Sequence, residues 1–255
     1  MLARHLWSRG EVLAVLRGAL PPDTLAGLDL GIALPFADCG AYFPGWAASP
    51  PDAPALWALV DRLAGDEPDL GANTVIARPE LRPYFRDGAH TGARFGCDGA
   101  AHGRGRFRVT EHAQARMGCR PYSNFNLVGA AQVGKSSLTG MRMLHRLRGH
   151  LPVWPVDPLP ASGSAVVEIY TTLAAREAGR SAGRAKMRSH ADLNAALAAL
   201  GSPPVPGGGA IDDHSSDALL TAAWLRAVAH DPARWSPAAL TPALARTEGW
   251  TFGAL

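Results

Sequence analysis

The sequence has little that would send it into a membrane or out of the cell. Its first residues, Met1 to His5, lack the apolar stretch of a signal peptide, and no run is long enough to span a bilayer. Only three cysteines occur, Cys39, Cys97 and Cys119, odd in number and widely spaced. They read as reduced thiols of a cytoplasmic protein, not as a disulfide framework. Cys97, His102, His112 and Cys119 fit no compact zinc spacing. No Gly-x-Ser-x-Gly elbow accompanies Asp213-His214 and its neighbouring serines, which sets a hydrolase triad aside. No internal repeat is present.

What is present suits one α/β domain spanning 1–255. Hydrophobic residues make up 47% of the chain, enough for a sizeable core, while 28 Gly and 21 Pro predict long irregular segments. The net charge is only +3, but it is unevenly placed. Between Arg78 and Arg148 stand 13 basic residues, nearly all Arg, against four acids (Glu80, Asp87, Asp98, Glu111). Such a stretch suits an anionic partner such as nucleic acid, or simply a solvated loop.

Local patterns predict the elements. Ser8 with Glu11 forms a capping box for a helix to about Ala19. The nearly unbroken apolar run Thr24–Leu34 reads as a buried strand whose one charge is Asp29. A helix over Ala53–Ala64 with a cap near Asp52 lies inside an otherwise irregular insertion, about 36–125, whose Gly88–Arg108 part reads as an exposed loop. A helix over Leu138–Arg148, a short edge strand at Val153–Val156 and a second clear strand at Ala165–Thr172, with Glu168 in its middle, follow. Helices over Ala191–Leu200 and from Asp213 or Ser215 to Ala229 flank a Pro/Gly linker. The seven tryptophans read mainly as core anchors.

Gly129-Ala-Ala-Gln-Val-Gly134-Lys135-Ser136 has Walker A spacing, in which backbone amides cradle phosphates, Lys135 neutralises them and Ser136 binds Mg²⁺. Asn124–Val128 is the candidate preceding strand. The competing reading is a glycine-rich helix entry, since no proline-free hydrophobic strand ending in Asp follows.

A quieter constellation joins Asp29, Glu168, Asp213 and Asp217. Two lie on predicted strands, and two are spaced i, i+4 at a helix start. Clustered carboxylates repel unless cations neutralise them, which points to Mg²⁺ or Mn²⁺ and to phosphodiester hydrolysis. Capping of its helix is the plainer role for Asp213.

Gly27-Leu-Asp29, Asn126 to Gly140, Val153-Trp-Pro155, Val167-Glu168-Ile-Tyr170, the run from Asp212 and Glu248-Gly-Trp250 together resemble an uncharacterised bacterial family of predicted nucleases with an RNase H-like fold. That resemblance covers nearly the whole chain in order. It implies a mixed sheet flanked by helices and places Asp29, Glu168 and Asp213 or Asp217 at acidic site positions. It also sets Lys186 at a basic position suited to phosphate and gives Glu248-Gly-Trp250 a packing role. RNase H-like folds open with a three-stranded meander, which nothing before Trp7 supplies, so a non-catalytic remnant or interaction module stays open beside nuclease and P-loop readings.

Overall fold

The computed structural model describes residues 7–96, 104–129, 132–180 and 186–255. Helix α1 (Arg9–Gly18) starts at Ser8, whose hydroxyl accepts from Glu11 N while the Glu11 carboxylate reaches back to Ser8 N, the expected reciprocal cap. Strand β1 (Leu25–Leu28) is shorter than expected. The apolar run continues to Leu34, but beyond Leu28 it is irregular chain, buried from Gly31 onward and held by bonds such as Trp57 Nε1 to Ile32 O. Apolarity drove burial there without a strand ladder.

Residues 36–125, expected to be irregular apart from one helix, hold more regular structure than that. They carry α2 (Ala53–Ala64), capped by Asp52 as expected, α3 (Asn73–Ile76), a hairpin of β2 (Arg86–Asp87) and β3 (His90–Thr91), and α4 (Val109–Arg116). Arg106 and Arg108, assigned from sequence to an exposed loop, are fully buried. Arg106 is satisfied by the Asp38 carboxylate and by the carbonyls of Pro35, Ala41 and Tyr42. A guanidinium with that many acceptors is tolerated inside.

Next come α5 (Val133–Leu147), β4 (Val153–Trp154), β5 (Ala165–Glu168), α6 (Thr171–Glu177), α7 (His190–Ala199), α8 (Asp213–Val228), α9 (Pro232–Trp235) and α10 (Pro242–Thr247). Helix α5 begins earlier than predicted, and β5 ends earlier because Thr171 opens α6. Asp212, not Asp213 or Ser215, caps α8 by accepting from Ser215 N.

A parallel sheet of order β1-β5-β4 forms the middle of a three-layer α/β arrangement. Side chains alternate across it. Val153 and Val166 join the core beneath α1, α2 and α5, while Trp154 and Val167 join the core beneath α6, α7 and α8. Strand β4 takes the expected edge position. Gly27 lets α8 approach β1, since a β-carbon there would lie 2.8 Å from both Ile169 Cγ2 and Leu225 Cδ1. Trp250 is buried as a packing residue. No helix among the described residues is long and apolar enough to cross a membrane.

Candidate functional site

In parallel sheets the crevice beyond the carboxyl ends of the strands is where ligands gather. Here Leu28 of β1 pairs in register with Glu168 of β5, so Asp29 leaves its strand beside the Glu168 position. A cleft of about 760 Å³ opens at these ends, lined by Asp29, Glu168, Asp217, Lys186 and Ser136, with Arg108 and Glu111 among its wall residues. A neighbouring, more apolar hollow of about 650 Å³ shares Asp29, His214 and Asp217. The chemistry concentrates in the first.

The acids are not equivalent. Glu168 is buried and fully engaged: Arg108 Nη1 and Nη2 donate to its two oxygens at 2.8 and 2.6 Å. Ile32 N at 2.8 Å and Thr251 Oγ1 at 2.5 Å complete its set. Arg108 also donates to Glu111 at 2.6 Å, so one guanidinium serves two buried carboxylates. Its pKa is driven up by those two partners against the opposing effect of burial. Burial outweighs the attraction of Arg108 at Glu111 and pushes that carboxyl up to about 7.

Asp29 and Asp217 have no hydrogen-bonding or ionic partner among the described residues. Asp29 is pushed up to about 6, first by loss of surrounding water and then by the charges of Asp217 and Glu168. It lies on the cleft wall with its outer surface open, so solvent screens part of that effect. Asp217, half-buried on α8, is raised by burial and by Asp213, against Lys186 and His214. Asp213, four residues earlier, does not line the cleft. It sits at the surface, bonded at 2.5 Å to Lys186, whose ammonium holds its carboxyl below the usual range. Lys186 thus spans from Asp213 to the cleft wall.

Among the described residues, no three His, Cys, Asp or Glu side chains converge on a cation position. What the cleft offers is two carboxylates from different elements. That donor set fits one Mg²⁺ or Mn²⁺, an ion usually held by one or two carboxylates with water and substrate phosphate filling the rest.

The Walker-like string lacks its expected strand. Asn124–Val128 forms only a turn and a single bridge from Asn126 to Arg86, outside the parallel sheet. Gly134 N is already donated to Asn126 O, and Ser136 Oγ to Val133 O. Successive helical positions diverge by about 100°, and here Ser136 faces the acidic cleft while Lys135 lines a separate hollow. Ala130 and Ala131 lie outside the described residues.

Cys39 is disulfide-bonded, unlike the expected set of reduced thiols, whereas Cys119 is a buried free cysteine. Cys97 and His102 lie outside the described residues. Reading the sequence missed Arg108, Glu111 and Thr251 as parts of the site. The one available signal was Glu111 placed three residues after Arg108 at a helix start, where its carboxylate accepts from Arg108 N at 2.7 Å. Compared with protein-family models, curated proteins and solved structures, the chain matches none.

Proposed function

We propose that the protein is a metal-assisted phosphodiester hydrolase of the nuclease kind, built on an RNase H-like scaffold and acting on nucleic acid. The observation that carries this reading is the pair Asp29 and Asp217. Two carboxylates with no hydrogen-bonding partner among the described residues share one cleft at the carboxyl ends of parallel strands, where a phosphate substrate and a cation would relieve their repulsion. Bound there, Mg²⁺ or Mn²⁺ would supply charge neutralisation at phosphate and a more acidic water.

The chain's own residues divide the remaining work. Asp29 and Asp217, both ionised, would hold the cation position, and the leaving oxygen would take its proton from water. Lys186 moves from Asp213 to a phosphate oxygen. Glu168 is locked by Arg108 and keeps the floor of the cleft rigid, supporting the site without touching substrate. Nucleotide binding through Gly129–Ser136 is less well supported, because Lys135 and Ser136 line different cavities.

The test is calorimetric titration of Mn²⁺ into wild type and an Asp29→Asn/Asp217→Asn variant, alongside cleavage of a small phosphodiester. The expected outcome is binding and cleavage by wild type and neither by the folded variant. Equal binding by both proteins would end this reading.

A further inference from the structure

Lys135 remains unexplained by the cleft. It lines a hollow of about 290 Å³ together with Arg82 and His90, beside Asn73, Phe85 and the single acid Asp87. All three basic side chains are exposed, and none has a hydrogen-bonding or ionic partner among the described residues. They come from unrelated parts of the chain: Arg82 from the turn after α3, His90 from β3 and Lys135 from the first turn of α5. Arg82 and Lys135 place two cations on this wall against the single carboxylate of Asp87, and an anion would offset the excess positive charge. The first turn of α5 separates this hollow from the cleft, with Ser136 on one side and Lys135 on the other.

We propose that the hollow is a second phosphate-contact point for the same substrate, so that the substrate is a polynucleotide strand that crosses the start of α5. The inference rests on the cleft being the hydrolytic site, and it adds to that reading an anchoring subsite and a path for the strand. Arg82 grips a backbone phosphate through its planar fork, Lys135 adds a point charge, and the exposed His90 provides ring surface at the wall. Acidic cleft and basic hollow then divide the labour: one cuts, the other anchors at a distance from the repelling carboxylates.

Anisotropy of fluorescein-labelled oligothymidylate in EDTA, across a salt series, tests this on wild type, Arg82→Ala/Lys135→Ala and Lys135→Arg. Hydrolysis of bis(p-nitrophenyl) phosphate, which is small enough to occupy the cleft alone, is measured in parallel with Mn²⁺. Losing two phosphate contacts should weaken oligonucleotide binding by about tenfold or more and make the salt slope shallower by roughly 1.4. Hydrolysis of the small diester should be unchanged, and Lys135→Arg should retain binding. Affinity and slope equal to wild type in the double variant, or no binding by wild type, would overturn the proposal. Failure of wild type to cleave the small diester, with oligonucleotide binding still dependent on Arg82 and Lys135, would instead locate the error in the hydrolytic reading.

Discussion

Glu168 and Asp29 stand side by side at the ends of adjacent parallel strands, yet their surroundings make them opposites. Glu168 is enclosed, gripped on both oxygens by Arg108 and further satisfied by Thr251 and the Ile32 amide. Asp29 has open surface, no ion pair among the described residues, and the charge of another carboxylate, Asp217, acting on it most strongly after burial. A carboxylate whose lone pairs are all occupied is part of the scaffold. One held near like charge in a cleft is free to bind or to exchange a proton. The lesson is that partners, more than position on a strand, separate a fully engaged acid from an open one.

The strongest way to break that comparison is to remove the cation. Arg108→Met leaves Glu111 and Glu168 buried without a counter-charge, and stability should fall by about 3–5 kcal/mol. Urea denaturation at neutral pH measures it. A loss below about 1 kcal/mol would mean the two glutamates are already neutral or hydrated, and the scaffold role of Glu168 would go with it.

How far the sequence revealed this division can be seen residue by residue. Ser8 and Asp52 were legible as caps because capping is settled within three residues. Asp29 stood out as the one charge in an apolar run. The end of β1 at Leu28 did not, since an apolar run looks the same whether it pairs or is buried as coil. Nor was the burial of Arg106 and Arg108 visible. Their acceptors, Asp38 and Glu168, lie 68 and 60 residues away in the chain, and composition treats arginine as a surface residue. The same distance hid the fact that Glu168 was already taken, while the divergence of Lys135 and Ser136 depended on α5 starting at Val133, earlier than the pattern indicated.

A subtler test uses pH. The Asp29 carboxyl is raised from 3.8 to about 6, so between those values the folded protein holds a proton that the unfolded chain has released. The stability this contributes is full below about pH 4 and is lost as pH rises through 6. Asp29→Asn cannot ionise, so it should match wild type in acid. Above pH 6 it should be the more stable protein, by about 1 kcal/mol once solvent screening at the open surface is allowed for. Chemical denaturation of both proteins across that range checks this. A variant less stable than wild type at pH 7 would mean that Asp29 has a stabilising partner after all, and the contrast with Glu168 would collapse.

The smallest expected effect concerns Lys186. Its bond to Asp213 joins two surface side chains, and exposed pairs hold little net energy because water competes for both ends and two long chains lose freedom. Lys186→Ala should therefore leave the urea midpoint where it was. The Asp213 carboxyl should move up toward its ordinary range, because the ammonium that depresses it is gone, and carboxyl-carbon NMR titration reads that directly. An unmoved Asp213 would show that Lys186 spends its time elsewhere, and a drop in stability would make the pair structural. The expected result, a lysine tied loosely enough to leave at no cost, is what a side chain needs if it is to reach from Asp213 to a phosphate in the cleft.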